Sequence, residues 1–178
     1  MADCILTYSK IIFNPLEPAH EDIVIEDIAH ALSLMTRANG HIPHFYSVAQ
    51  HSVNCCREAE QRGCSAKVRL GCLLHDASEC YISDLTRPVK RNLPAYYQIE
   101  EKLQRAIFFR FGLDGLSQQE LRQIEEIDDA LLYHEFMALA GVAIWEEPPA
   151  VSMEHDFSQR EFESVESDFI ALFRSLTG

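Results

Sequence analysis

The chain is poor in basic residues, with 15 Lys and Arg against 28 Asp and Glu and a formal net charge of −13. Partners such as nucleic acid polymers and anionic membranes require many neutralised phosphates, so this balance argues against both. A small phosphorylated ligand stays open, because Arg87, Lys90 and Arg91 form a local basic group and Arg37 stands apart. The simpler interpretation of the basic group at Arg87, Lys90 and Arg91 is that these are solvated side chains on a loop.

Long apolar runs, a Cys-x-x-Cys pair and a start resembling a signal peptide are also missing. A membrane-spanning helix needs about 18 consecutive apolar residues. A secretory start needs a basic segment followed by an apolar core. We therefore expect a cytoplasmic protein whose six cysteines are reduced thiols, of which Cys55, Cys72 and Cys80 serve as small apolar residues.

The apolar content of 47% in 178 residues is enough to bury a core, and we expect one domain over residues 1–178. Helical periodicity predicts six main helices near residues 25–35, 47–62, 65–80, 96–111, 117–141 and 158–176. Capping-box patterns open the last two, at Ser117 and Ser158. The opening residues favour a small β-hairpin or an extended arm. The predicted fold class is therefore all-α, a helical bundle.

The run Leu73-Leu74-His75-Asp76-Ala77-Ser78-Glu79 carries three side chains that bind metals or move protons. His75 and Asp76 end an apolar stretch, where ionisable groups need partners. Glu79 returns to the same side of the predicted helix one turn later. The dipeptide alone is not specific, because a second pair, His155-Asp156, follows two prolines in a polar stretch.

Further ionisable side chains lie on apolar helix faces. His51 faces inward on the second predicted helix, although a lone histidine there is more often a hydrogen-bonded core residue. Asp128 and Glu135 occupy core-facing positions of the fifth helix, and a buried carboxylate needs a cation or hydrogen-bond donors. Asp129 is the alternative to Asp128, but it lies about 100° off the apolar stripe.

Two imidazoles and two carboxylates from three predicted helices can meet in the core of the bundle: His51, His75, Asp76 and Asp128. This ligand set suits a divalent transition metal such as Mn²⁺, Fe²⁺, Co²⁺, Ni²⁺ or Zn²⁺, with open positions for water and substrate.

With its flanking residues, this pattern resembles the HD-domain phosphohydrolases. The resemblance is carried by Ser47-Val48-Ala49-Gln50-His51-Ser52, by Leu74-His75-Asp76-Ala77-Ser78-Glu79, and by Asp84-Leu85 with Pro88-Val89-Lys90. It runs from about residue 22 to 135, within a motif-bearing core of about 22–140, and is closest to the bacterial 5′-deoxynucleotidases and related phage or prophage proteins. The chain departs from that branch at Ala38, where the deoxynucleotidases have a tryptophan.

The resemblance implies a role for each matching residue. It implies a divalent metal in an all-helical fold, held by His51, His75, Asp76 and Asp128. It further implies that Glu79 assists proton transfer, that Arg37 contacts the substrate phosphate, and that Asp84 lies near the nucleotide. Members with two metals carry extra histidines between the His-Asp pair and the last Asp. No histidine lies between His75 and His134, so we expect one metal.

The expected reaction is hydrolysis of a phosphomonoester, a nucleoside or deoxynucleoside 5′-monophosphate. Glu79 is preferred over Asp76 for moving protons, because Asp76 is needed as a ligand. Arg37, with Lys90, would offset the phosphate charge. Two alternatives stay open: hydrolysis of nucleoside triphosphates or guanosine alarmones, and an HD module that binds a nucleotide or partner without turnover. The resemblance also favours a homodimer.

Overall fold

Six helices of nine or more residues carry the fold in the computed structural model, which describes residues 3–178. They are α1 (Ile25–Leu34), α2 (Val48–Gln61), α3 (Ala66–Leu74), α6 (Pro94–Arg110), α7 (Gln118–Ala140) and α8 (Phe162–Thr177). Two helices of four residues, α4 (Glu79–Ile82) and α5 (Arg87–Lys90), lie between α3 and α6, and 3₁₀ turns flank α1. The predicted all-α bundle of about six main helices is confirmed.

The predicted hairpin is present at the start of the chain. Strands β1 (Ile5–Leu6) and β2 (Ile12–Phe13) pair antiparallel, with Ile5 opposite Phe13. Phe13 is fully buried and stacks on Tyr81 of α4 at a centroid distance of 4.2 Å. The hairpin is thereby anchored to the helical core.

Serine hydroxyls fix the starts of three helices by accepting a hydrogen bond from a backbone amide of the first turn: Ser47, Ser65 and Ser117. At Ser117 the capping box is complete, since the carboxylate of Glu120 accepts a hydrogen bond from the backbone amide of Ser117. The predicted capping box at Ser158 is wrong. Its hydroxyl donates to Asp156 at 2.6 Å, and α8 begins only at Phe162.

Two apolar clusters hold the helices together. The larger lies between α1, α2, α3 and α8 and includes Ile28, Leu32, Val53, Leu73 and Phe169. The smaller joins α2, α3 and α7 and includes Cys55, Val68, Cys72, Ile124 and Leu131. All six cysteines are free thiols. None of the described helices is both long and apolar enough to cross a membrane.

Helices α3 and α7 are in close contact at Gly71. A Cβ at this position would lie 2.3 Å from Cδ1 of Ile124, so any larger side chain would push the two helices apart or force Ile124 to move. Asp128 follows Ile124 by one turn on α7, and His75 comes four residues after Gly71, directly beyond the end of α3. The close contact at Gly71 therefore helps to set the spacing between two of the predicted ligands.

The third predicted helix, over residues 65–80, is wrong at its C-terminal end. Helix α3 stops at Leu74, and residues 75–78 form a turn before α4. Gln104 of α6 spans this turn: its amide nitrogen donates to the carbonyl of Leu74 at 2.7 Å, and its oxygen accepts from the amide of Ser78 at 3.1 Å. A side chain distant in sequence thus forms hydrogen bonds with two backbone groups that lose their helical partners where α3 ends.

The segment at 141–161 packs on α2 through a buried carboxylate. Glu58, fully buried on α2, accepts hydrogen bonds from Arg62 Nε at 2.7 Å and from His155 Nε2 at 2.9 Å. It also accepts from the backbone amide of Ser152 at 2.7 Å. His155 of the second His-Asp pair is therefore part of a structural contact.

We expect Glu58→Gln to lower the free energy of unfolding by about 2–3 kcal/mol, because it removes charge-assisted hydrogen bonds that join α2 to the segment around His155. Urea unfolding followed by circular dichroism measures the change. Glu60→Gln on the same helix is the control, since the Glu60–Arg69 ion pair is exposed and should contribute less than about 1 kcal/mol.

The effect should also depend on pH. Burial alone would raise the pKa of Glu58, but hydrogen bonds from Arg62 and His155 lower it below its ordinary value. The carboxylate therefore stabilises the fold above the pKa it has when unfolded, and this contribution is lost as the pH falls through its folded pKa. The gap between wild type and Glu58→Gln should narrow in acid, and a constant gap would contradict this role.

Candidate metal centre

Four predicted ligands converge at one point. Nε2 of His51 on α2 lies 3.2 Å from Nε2 of His75 and 3.1 Å from Oδ1 of Asp128 on α7. Nε2 of His75 lies 3.2 Å from Oδ2 of Asp76 and 3.6 Å from Oδ1 of Asp128. Asp129 is half exposed and contacts Arg87 instead. Separations of this size allow one cation to contact all four donor atoms.

Both imidazoles are oriented with Nε2 toward this point. Nδ1 of His75 donates to the carbonyl of Cys72 at 2.8 Å, and a carbonyl only accepts. Nδ1 of His51 contacts Oε1 of Glu135 at 2.5 Å. With a proton on each Nδ1, the neutral rings present the lone pairs of Nε2, which is the arrangement found in metal-ligating histidines.

The local charge balance also fits a cation. The adjoining cleft is lined by five carboxylates and three cationic side chains, a formal charge of −2. Burial alone would lower the pKa of His75, yet Asp76 and Asp128 raise it well above its ordinary value. Burial alone would raise the pKa of Asp128, yet His51 and His75 lower it. The carboxylates thus stabilise a positive charge at this point. In the metal-free protein this charge comes from protons on the imidazoles, and a divalent ion would provide it instead.

Cys55 is a further donor at the edge of this group. Its sulfur lies 3.5 Å from Nε2 of His51, and the ligand atoms of His51, Cys55 and His75 lie within 4.8 Å of one another. Burial raises the pKa of the Cys55 thiol well above its ordinary value. A cation would have to displace the proton of this thiol, whereas the carboxylates are already ionised, so Cys55 is the weaker ligand. The sequence predicted only a packing role for this residue.

A cleft of about 280 Å³ opens beside the four ligands. Among the sequence-predicted site residues it is lined by Arg37, Asp76, Glu79, Asp84, Lys90 and Asp128, and it is also lined by Glu135. His51 and His75 do not line the cleft, and their side chains have little or no exposure, but both contact Asp128, which does line it. The structure therefore brings all of the predicted site residues to one place.

Arg37 reaches the cleft from an irregular turn rather than from the end of α1. It begins the 3₁₀ turn Arg37–Gly40, in which Ala38 and Asn39 have positive φ angles of 51° and 52°. Its backbone amide donates to the carbonyl of Tyr46 at 2.9 Å, which fixes the turn against the start of α2. Its guanidinium donates to Asp76 at 3.4 Å and to Glu135 at 3.3 Å.

Glu79 is buried at the cleft wall with one free oxygen. Its Oε1 lies 3.5 Å from Nζ of Lys90, whereas its Oε2 has no hydrogen-bond partner within residues 3–178. Burial, reinforced by the charges of Asp76 and Asp84, raises the pKa of Glu79 well above its ordinary value. Such a carboxyl group can hold a proton and transfer it to a ligand.

Lys90 at the same wall is fixed in place, because its Nζ donates a hydrogen bond to Oε1 of Glu100 at 2.6 Å.

Besides Cys55, three residues at the site were not predicted as site residues. Glu135 was recognised only as an acid in a core-facing position, because the sequence does not show which groups it meets. Arg87, one of the local basic group, donates to Asp128 Oδ2 at 3.0 Å and to Asp129 at 2.8 Å. Gln104 fixes the turn that carries His75. For Glu135, the core-facing position was the one signal in the sequence that indicated a role at the site. For Gln104, the sequence contained no such signal.

Comparison with known proteins places the chain in a family. The sequence model of the HD domain matches residues 32–147. The chain is 45% identical over 93 residues to Uncharacterized protein YfdR of Escherichia coli, which covers 52% of this chain and 49% of that protein. It is 39% identical over 107 residues to Uncharacterized protein RCAP_rcc00048 of Rhodobacter capsulatus, covering 57% and 54% respectively.

The matched region contains the His75-Asp76 pair together with His51 and Asp128, whose convergence is described above. The chain belongs to the HD-domain family, whose members bind divalent metals. It spans about half the length of the curated relatives it matches.

We expect the wild-type chain to bind one divalent ion, and Asp128→Asn to weaken this binding by more than about 100-fold, since even outer partners of ligands contribute 10- to 100-fold. The amide oxygen is uncharged, so both imidazoles lose the charge of the carboxylate that they share on α7. Calorimetric titration of the metal-stripped protein with Co²⁺ measures the stoichiometry and the dissociation constant.

Asp129→Asn is the matched control, because Asp129 is adjacent, half exposed and bonded only to Arg87 within the described chain. It should leave the dissociation constant unchanged. Equal losses in the two variants would show that the general negative charge of α7, and not the position of Asp128, governs metal binding.

Proposed function

We propose that this chain is a metal-dependent phosphohydrolase that removes phosphate from nucleoside 5′-monophosphates, including deoxynucleotides. The observation that carries the proposal is the convergence of four metal-competent donors on a cleft that also contains Arg37 and the buried Glu79. Membership of the HD-domain family supports the same class of chemistry. A positioned cation, a phosphate-binding arginine and a proton carrier are the groups that phosphate ester hydrolysis needs.

The size and lining of the cleft favour a small substrate. Its volume of about 280 Å³ is close to the lower end for small-molecule pockets, roughly 300–1,000 Å³. Part of the lining is apolar and comes mainly from α7, with Leu132, Phe136 and Leu139, and from Ile42 and Leu85 outside that helix. Such a lining suits a sugar and base, while the charged part suits a phosphate. A mononucleotide fits this division better than a polymer.

Arg37 and Glu79 have different roles at the phosphate. Arg37 can bind two phosphate oxygens through its forked guanidinium. Glu79 can donate the proton from its carboxyl group to the leaving O5′ as the P–O5′ bond breaks, and the surplus proton of the attacking water restores it. Asp76 is less suited to this task, because His75 and Arg37 hold its pKa below the ordinary value even though burial opposes them.

His51, His75, Asp76 and Asp128 would hold the divalent cation, which when bound would supply Lewis-acid polarisation of the phosphate and a water of lowered pKa. The carboxylates of the cleft oppose binding of an anionic substrate to the metal-free protein. We therefore expect nucleotide binding to strengthen when the metal is bound.

We expect the metal-loaded protein to release inorganic phosphate from nucleoside 5′-monophosphates. Asp76→Ala should abolish the activity together with metal binding. Glu79→Gln should reduce kcat by about 100- to 10,000-fold, the usual contribution of a general acid, without weakening metal binding. A nucleotide panel with Mn²⁺ or Co²⁺, followed by a phosphate assay, measures the rates.

Product analysis separates the proposal from its alternatives. Release of triphosphate or pyrophosphate would identify a nucleoside triphosphate or a guanosine alarmone as the substrate. Tight metal and nucleotide binding without turnover would identify a binding module. Full activity in Asp76→Ala would overturn the proposed site, and full activity in Glu79→Gln would overturn only its role in proton transfer.

A further inference from the structure

Glu135 connects two functional elements of the site. It lies on α7 two helical turns after Asp128, and its side chain is almost fully buried. Oε1 accepts from Tyr46 Oη at 2.9 Å and contacts Nδ1 of His51 at 2.5 Å. Oε2 accepts from Arg37 at 3.3 Å. One carboxylate thus contacts a candidate metal ligand and the candidate phosphate-binding residue.

The contact with His51 determines what the imidazole can do. A carboxylate at Nδ1 keeps a proton on that nitrogen, so the neutral ring presents the lone pair of Nε2. Nε2 is the atom that lies 3.1 Å from Asp128 and 3.2 Å from His75. Without the acceptor, the other tautomer and other ring orientations become available at the position where a ligand must be fixed.

The contact with Arg37 acts on the candidate phosphate-binding residue. The guanidinium lies between Glu135 and Asp76, and both contacts hold it beside the four ligands. An arginine held in place before the substrate arrives loses less conformational entropy when it binds a phosphate. Loss of Glu135 would therefore weaken both metal binding and phosphate binding.

Burial and hydrogen bonding alone do not establish this role, and the chain contains a comparison. Glu58 on α2 is also fully buried, and it also bonds to a histidine and an arginine, His155 and Arg62. Those partners lie outside the cleft and contact none of the four candidate ligands. A purely structural carboxylate would behave like Glu58.

We propose that Glu135 is a positioning residue that directs Nε2 of His51 toward the metal and the guanidinium of Arg37 toward the substrate phosphate. This inference rests on the proposed function, since it assumes the metal ligand and the phosphate contact named there. It assigns to one buried carboxylate the coupling of the two binding events.

The test compares Glu135→Gln with Glu58→Gln. Competition with a chromophoric chelator for Co²⁺ gives the metal dissociation constant, and circular dichroism gives the fold and its thermal midpoint. We expect Glu135→Gln to weaken metal binding by about 10- to 100-fold. Glu58→Gln should lower the thermal midpoint but leave the metal dissociation constant unchanged. At saturating Co²⁺, binding of inorganic phosphate should also weaken in Glu135→Gln only.

The outcomes separate this inference from the proposed function. Equal metal affinity in wild type and Glu135→Gln would overturn the inference, and so would an equal loss in both variants. Absence of metal binding by the wild type would overturn it together with the proposed metal centre. Reduced metal affinity in Glu135→Gln supports it even if no nucleotide is hydrolysed, because that failure concerns only the substrate. If Glu135→Gln does not fold, Tyr46→Phe provides the same comparison, with a smaller expected loss.

Discussion

Five carboxylates crowded around one cleft impose the main physical constraint on this molecule. Asp76, Glu79, Asp84, Asp128 and Glu135 all line it, and only three cationic side chains accompany them. Buried carboxylates repel one another and are costly to desolvate unless positive charge balances them. Each cation is accordingly bonded to an acid, and the histidine pKa values are raised above their ordinary range. A divalent ion among the carboxylates would relieve the constraint most directly.

The scaffold meets this constraint by bringing helix ends and helix faces together at fixed distances. The bridge between Thr36 and Ser47 fixes the turn of Arg37 against the start of α2. Close contact at Gly71 sets the distance between α3 and α7. The apolar cluster beneath the ligands, which includes Cys55 and Ile124, completes the support. Rigid elements hold a metal site more precisely than mobile loops, because the donor atoms cannot separate to reduce their repulsion.

Local patterns predicted the helices, because apolar periodicity and serine caps act within a few residues of each other. The same periodicity identified Asp128 and Glu135 as acids in core positions, but the groups that Glu135 meets come from α2 and from the turn of Arg37. The end of α3 at Leu74 was missed for a similar reason. The side chain that satisfies the broken helix is Gln104, on another helix, and nothing near Leu74 in sequence encodes it.

The two His-Asp pairs show how charge balance distinguishes a structural histidine from a functional one. His155 contacts a single carboxylate, Glu58, whose charge is also met by Arg62, so no unbalanced negative charge remains there. His75 contacts both Asp76 and Asp128 while its other nitrogen is bound to a carbonyl. Arg37 and Arg87 contact these two carboxylates, but Arg37 is shared with Glu135, and Asp84 lines the same cleft, so the acids there outnumber the cationic side chains. A divalent cation suits this arrangement better than the one at Glu58, so the surrounding carboxylates, and not the dipeptide, distinguish the metal site.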